Sequence, residues 1–562
     1  MKSFPWLKNY PKGIPQEVAL YEYESVVDLF EQSCKKYSHQ VAFENMGVRL
    51  TYAQVDKLSR DFAAYLQQEL GLKKGDRIAI QMPNLLQFPI AFFGALRAGL
   101  IVVNTNPLYT PREMEHQFKD SGALAIVIVA NFASNLEKII SKTQIKHVIV
   151  TELGDMLGGV KGALVNFVVK KIKKMVPAYS LPGALSFKGV LKKGQGFSLN
   201  EPPVTNDEIA ILQYTGGTTG VSKGAQLSHG NLVAHNTMIT HWFSPYLNAG
   251  GEDIIITAIP MYHIFALTVN GLLMFSTGVK NVLITNPRDM KGFCKELRKH
   301  KFTIMTGVNT LFNGLLNSPT FKDLDFSHLK GAIGGGMAVQ DVVARRWKEV
   351  TGKPLLEGYG LSETSPVLCC NPLDGNHKSG TIGMPMPSTE VAIFDDNGNQ
   401  LPQGETGEIC ARGPQVMSGY WKQDNTGVFY PGGWFKTGDI GSTDNEGFFK
   451  IVDRKKDMIK VSGFNVFPSE IENVLAGHPK ILEVAAIGVP DSRSGEVIKV
   501  FVVKRDQSLT ENEVLNFCRE NLTNYKVPKH VEFKKELPKT NVGKILRRAL
   551  KEEEARVEIN VK

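Results

Sequence analysis

From Val55 the chain alternates between helix-like and strand-like runs of apolar residues. Val55–Leu70 and Pro89–Ala98 carry the helical spacing, whereas Arg77–Gln81 and Ile101–Val103 read as strands. Leu124–Val129 and His147–Thr151 repeat the β-branched pattern. Such alternation predicts an α/β fold with parallel sheets flanked by helices. Between Gly375 and Pro414 the chain turns Gly- and Pro-rich, with short alternating runs at Glu390–Phe394 and Gly407–Arg412, which predicts a β-rich subdomain. Past Asp453-Arg-Lys-Lys-Asp457 the pattern becomes a compact βαβ-type unit ending in a charged helix. Residues 1–455 therefore read as a large N-terminal domain and 456–562 as a small, mobile C-terminal α+β domain, hinged at about 453–457.

One stretch, Ile254–Val279, has no charged residue and is long enough to span a bilayer. Pro260-Met-Tyr-His263 breaks it, and Asn270 and Gly271 interrupt the remainder. The expectation is a buried strand at Ile254–Ile259, a turn and a buried helix.

At 562 residues, with 42% apolar and 22% charged, the chain has the balance of a soluble multidomain enzyme. Its six cysteines form no CxxC pair, which suits a reducing cytosol and gives no zinc signature. The N-terminus lacks the apolar run of a signal peptide, so a cytoplasmic location is expected. The formal charge is +9, and eight lysines fall between Met156 and Asn200, where no acidic residue occurs. An excess confined to one segment argues against nucleic-acid binding, which needs a broad basic patch. On a helical wheel Val160, Leu164, Val165, Val168, Val169, Ile172, Met175 and Val176 share one half, opposite Lys170, Lys173 and Lys174, with Lys171 intruding. A basic amphipathic helix suits reversible docking on the anionic inner face of a membrane. A helix packed on the fold with a solvated lysine edge is the alternative.

The strongest chemical signal is Tyr214-Thr-Gly-Gly-Thr-Thr-Gly-Val-Ser-Lys-Gly224, directly after the apolar run Ile209–Leu212. Its glycines let backbone N–H groups approach an anion closely, its hydroxyls add donors and Lys223 adds charge, so it is built for a polyphosphate. It lacks Walker A spacing. It contains a G-x-S-x-G string at Gly220–Gly224, the mark of a hydrolase nucleophile elbow, but that elbow needs a sharp strand-to-helix turn. The second signal is Tyr359-Gly-Leu-Ser-Glu-Thr364, whose Glu363 beside a phosphate loop is a natural Mg²⁺ ligand. Asp439, in Trp434-Phe-Lys-Thr-Gly-Asp439, has the chemistry to accept from ribose hydroxyls. Lys544 follows a glycine and lies between Val542 and Ile545, an odd address for a solubilising charge.

In this order the four motifs resemble the adenylate-forming superfamily of acyl-CoA synthetases, adenylation domains and luciferases, over essentially the whole chain. Asn106–Glu113, Ile284–Asp289, Gly307–Phe312 and Val452–Ile459 bring the likeness nearest to bacterial long-chain-fatty-acid–CoA ligases. The resemblance implies ATP, Mg²⁺ and coenzyme A, with acyl-CoA, AMP and pyrophosphate formed through an acyl-adenylate. Thr215, Gly216, Gly217, Thr218, Thr219, Gly220 and Lys223 would wrap the phosphates. Tyr359 and Gly360 would face the adenine, with Gly334, Gly335 and Gly336 as the opposite wall. Ser362 would touch the α-phosphate, and Glu363 with Thr215 would hold Mg²⁺. Asp439 and Arg454 would bind the ribose. His263 would lie near the acyl carboxylate unless it is simply a packed core residue. Lys544 would bridge carboxylate and α-phosphate, Lys456 would be the hinge, and Ser462, Gly463 and Phe464 would line the pantetheine channel. Lys460 is left without a role. The same resemblance admits an acyl-AMP ligase feeding a carrier protein, or activation of a medium-chain or aryl acid, and it allows a homodimer.

Overall fold

The computed structural model describes residues 4–215, 222–248, 252–491, 493–540 and 543–561. The α/β expectation holds, and four sheets organise the described residues. A seven-stranded sheet runs Leu185–Ser186, His147–Thr151, Ala125–Val129, Arg77–Gln81, Ile101–Asn104, Ile209–Thr215 and Lys223–Ser228. Its neighbours are parallel except for the last pair. A nine-stranded sheet has a parallel centre at Lys280–Leu283, Ile254–Thr257, Ile304–Gly307, Gly331–Gly334 and Leu355–Gly360. The β-rich subdomain is antiparallel and contains Glu390–Phe394, Gly407–Arg412, Trp434–Thr443 and Phe449–Arg454. The smaller C-terminal domain carries the fourth sheet. There Gly495–Lys504, the helix Glu511–Asn521 and the parallel strand His530–Lys534 form the expected βαβ unit, joined to an antiparallel neighbour, Ile481–Asp491.

Local sequence sets the helices. Thr110 and Glu113 cap each other's backbone around Pro111, and Gly122 closes the helix Pro111–Ser121 in the left-handed region. The helix Tyr52–Gln68 starts three residues before the periodicity suggests, because Thr51 and Gln54 form a capping box there. Gln87–Arg97 likewise begins ahead of Pro89. Phe30 stacks on Phe93 at 4.2 Å and Tyr52 meets Phe275 at 4.4 Å, an aromatic seam buried among these helices. Truncating such a residue, Phe93→Ala for example, costs about 3–5 kcal/mol.

Ile254–Thr257 is a buried strand as expected, but the helix beyond the turn is a π-helix, Ala266–Leu273. No described helix is long and apolar enough to cross a membrane. The lysine-rich segment forms an α-helix, Gly159–Phe167, that runs into a π-turn, Val168–Ile172. It packs through Gly162, over which a Cβ would meet the Gly154 carbonyl at 2.3 Å, and through half-buried Val165, Val168 and Val169. Val160 (88% exposed), Leu164, Phe167, Ile172 (64%) and Met175 face outward. The segment is thus neither a buried core helix nor a purely polar edge.

Candidate active site

A cavity of about 1210 Å³ opens where the carboxyl ends of strands from both large sheets converge, beside the β-rich subdomain and the C-terminal segment. Thr215, Lys223, His263, Gly335, Gly336, Tyr359, Gly360, Ser362, Glu363, Arg454, Lys456 and Lys544 all line it, although they come from across the chain. Gly334 and Asp439 sit just behind the wall: Gly334 ends its strand, and Asp439 is buried beneath Tyr359 and Arg454. The apolar part of the lining includes Phe243, Ile259, Phe265, Val269, Val367 and Cys370.

Thr215 and Lys223 are antiparallel Cα partners, so the two strands that flank the glycine-rich segment pair as a hairpin. Gly216, Gly217, Thr218, Thr219 and Gly220 lie outside the described residues. A hairpin is not a strand-to-helix elbow, so the hydrolase reading of Ser222 fails. Its carbonyl instead accepts from His116 Nε2 at 2.8 Å. The far side of the hairpin is pinned by Trp421 N–H on the Gly224 carbonyl at 2.8 Å, and Lys223 Nζ sits 5.4 Å from the Tyr420 ring centre.

Gly360 ends its strand where a Cβ would lie 1.7 Å from the Pro366 carbonyl, so only glycine lets the chain fold back and present Ser362 and Glu363. Glu363 is buried and accepts from Tyr420 Oη at 2.7 Å. Burial pushes its carboxyl up and the Tyr420 bond partly offsets this. Among the described residues it makes no ion pair. A buried carboxylate with oxygen capacity to spare fits a hard cation. Another acidic cluster, Glu44, Glu296 and His300, is compensated by Arg49 and Lys280, at 3.0 and 3.2 Å from Glu44, and lines no part of the cavity.

Asp439 and Arg454 face each other across the antiparallel pair and bond at 2.6 Å. Tyr359 Oη donates to the other Asp439 oxygen at 2.7 Å. Burial pulls the Arg454 guanidinium down, but Asp439 first, then Tyr359, Glu363 and Asp457, together more than offset this and keep it charged. His263 is pushed down to about 4, by burial first and then by the Lys544 ammonium. Its Nδ1 accepts from Phe265 N–H at 3.3 Å, so at neutral pH the ring carries its proton on Nε2 as a donor. The ring is thus both packed and part of the cavity lining.

Lys544 reaches the cavity because Gly543 adopts φ +87° and packs where a Cβ would meet Thr310 Oγ1 at 2.5 Å. The Gly543 carbonyl accepts from that hydroxyl at 2.9 Å. Burial, then Arg454, push the Lys544 ammonium down to about 8. Lys456 is also pushed to about 8 by burial, and its Nζ has no hydrogen-bond partner among the described residues. Gly463 is not brought in. With Ser462 it forms the exposed turn between Ile459–Val461 and Phe464–Val466, where Phe464 stacks on Tyr525 at 4.7 Å. Tyr420, Tyr525 and Arg547 carried no signal in the sequence, since each matters only through a partner distant along the chain.

The AMP-binding enzyme family matches residues 30–421, and the AMP-binding enzyme C-terminal domain matches residues 470–544. A long-chain-fatty-acid–CoA ligase of Yersinia pestis is 58% identical over 553 residues, and one of Escherichia coli O157:H7 is 57% identical over 549; each alignment covers 98% of both chains. The crystal structure of ATP-bound MatB from Rhodopseudomonas palustris superposes with a TM-score of 0.78 at 27% identity, covering 94% of this chain and 98% of that one.

Proposed function

The chain belongs to the AMP-binding enzyme family, and we propose that it joins a long-chain fatty acid to coenzyme A, using ATP and releasing AMP and pyrophosphate. It is an acid–thiol ligase. The observation that carries the reading is one cavity combining an apolar lining with two desolvated ammonium groups: Lys544, and Lys456, whose Nζ has no hydrogen-bond partner among the described residues. Such a site is complementary to an amphiphile that must meet a polyanion.

A carboxylate attacking the α-phosphorus brings like charges together, at ~4 kcal/mol for unit charges ~4 Å apart in an effective dielectric of about 20. Lys544 and Arg454 offset that repulsion, and His263 Nε2–H donates to the incoming carboxylate. Glu363 with Thr215 would hold Mg²⁺, which neutralises phosphate charge when bound. Ser362 and the glycine-rich hairpin bind the phosphates. Tyr359 and Gly360 face the adenine across Gly334–Gly336, and Asp439, with lone pairs left on both oxygens, takes the ribose with Arg454. Mixed-anhydride formation makes a good electrophile, from which the thiol displaces AMP.

The same Lys544 position blocks a second substrate, so residues from about 456 onward act as a separate unit that turns about Lys456. The turn withdraws Lys544 and brings the Gly463 turn to the thiol. Polar contacts across this boundary, such as Asn473 to Asp341 at 3.2 Å, suit an interface that reopens. The outward apolar residues of 160–175 with Lys171, Lys173 and Lys174 dock on an anionic membrane, where the substrate is dissolved. Met46, whose carbonyl accepts from Lys161, adds an exposed apolar residue beside them.

Product counting over a series of acids tests the reading. One AMP, one pyrophosphate and one acyl-CoA per turnover are expected with palmitate. Turnover with benzoate but not palmitate, or transfer to a carrier protein but not to coenzyme A, would replace it with one of the alternatives.

A further inference from the structure

Asp453 and Arg454 are adjacent on the strand Phe449–Arg454, so their side chains leave opposite faces. Arg454 turns to Asp439 and the cavity. Asp453, almost fully buried, turns to the C-terminal unit. One of its oxygens accepts from Arg547 Nη1 at 3.0 Å, and the other from Ser469 N–H at 2.7 Å. Ser469 lies in the first turn of the helix Pro468–Ala476, whose free N–H groups favour an anion. Arg547 is also held by Glu472 at 2.6 Å and Asp457 at 3.3 Å, and it follows Lys544 in the same terminal segment. Burial pulls its guanidinium down, but Glu472 and then Asp453 more than compensate, so it stays charged.

We propose that Asp453 and Arg547 are positioning residues, a latch that holds the C-terminal unit where Lys544 enters the cavity; this rests on the reading that the unit turns. Asp453 is fixed in the β-rich sheet, whereas Ser469, Glu472 and Arg547 travel with the unit. A turn therefore strips Asp453 of two donors but leaves the Arg547–Glu472 pair intact. The differential contacts bias one orientation over the other, as any two-state element requires. Breaking the latch shifts the population away from the adenylating orientation without touching a reacting atom.

The test measures both half-reactions: fatty-acid-dependent ATP–pyrophosphate exchange, and acyl-CoA formation from supplied acyl-AMP. Asp453→Asn should lower exchange about tenfold, the loss expected for roughly one charged contact, while thioester formation holds or rises. Arg547→Lys, which keeps the charge but not the fork, should act in the same sense and carries the test if the first variant does not fold. Glu472→Gln, whose partner moves with it, should lower the melting temperature with the ratio of half-reactions unchanged. Equal loss of both half-reactions in Asp453→Asn and Arg547→Lys, or unchanged exchange, overturns the latch. Lys544→Ala is the reference: if it fails to separate the half-reactions, the turning unit itself is wrong. If it separates them and the latch variants do not, the latch alone is wrong.

Discussion

The Tyr359 phenol donates to one oxygen of Asp439 at 2.7 Å while Arg454 holds the other at 2.6 Å. One buried carboxylate therefore ties the strand Leu355–Gly360 of the nine-stranded sheet to the strands Trp434–Thr443 and Phe449–Arg454 of the β-rich subdomain. Two motifs that are independent in sequence thus become one wall of the cavity.

Asp439→Ala removes the shared acceptor and leaves Arg454 half-buried without its partner. It should destabilise the fold by about 3 kcal/mol and raise the KM for ATP. Tyr359→Phe should cost about 1–2 kcal/mol. Because both act through one carboxylate, Tyr359→Phe should cost little more in the Asp439→Ala background. Denaturant midpoints of the four proteins check this; simple additivity would mean that the two bonds are independent.

Lys544 should govern the pH dependence of adenylation. Its ammonium is pushed down to about 8 in the free enzyme, and only the protonated form offsets the meeting of two anions. kcat/KM, which reports the free enzyme, should hold below that value and fall as pH rises through about 8. Thioester formation from supplied acyl-AMP should lack this limb. Lys544→Ala should lose the limb and about 10²-fold or more in adenylation. A wild-type profile that stays flat through about pH 9 would remove Lys544 from the step.

Glu363→Gln keeps size and the Tyr420 contact but loses the charge that binds a hard cation. The Mg²⁺ concentration for half-maximal turnover should rise about tenfold or more, with an unchanged melting temperature because the carboxylate pairs with no cation among the described residues. An unchanged Mg²⁺ dependence assigns the metal elsewhere.

Replacing Lys170, Lys171, Lys173 and Lys174 by Gln should weaken binding to anionic liposomes, at about 1 kcal/mol per lysine near the surface. Activity on detergent-dispersed substrate should persist. Lys170 is already paired with Glu152, at 3.9 Å, so it should contribute less than the other three. Binding should also weaken as salt shortens the Debye length from ~10 Å at ~0.1 M to ~3 Å at ~1 M. Unchanged binding would make the cluster a solvated edge.

Regular elements were legible where a short apolar run is buried on both faces: Arg77–Gln81, His147–Thr151, Glu390–Phe394 and Gly407–Arg412 match residue for residue. Helix starts were not, because Thr51 and Gln54 begin Tyr52–Gln68 by capping, ahead of the apolar stripe. The π-turn at Val168–Ile172 escaped for a related reason, since an added residue per turn shifts the phase that a fixed 100° wheel assumes. Motifs named the residues around the cavity, but not the partners that hold them. Tyr420 beneath Glu363 and Arg547 against Asp453 are ordinary residues in sequence and become informative only through contacts between distant segments.

The most direct measurement follows oxygen. Palmitate labelled with ¹⁸O in its carboxylate is turned over with ATP and coenzyme A, and the products are weighed by mass spectrometry. Attack of the carboxylate on the α-phosphorus, followed by displacement of AMP at the acyl carbon, places one labelled oxygen in each AMP and none in pyrophosphate. Label in pyrophosphate, or AMP without label, would contradict an acyl-adenylate formed in this cavity.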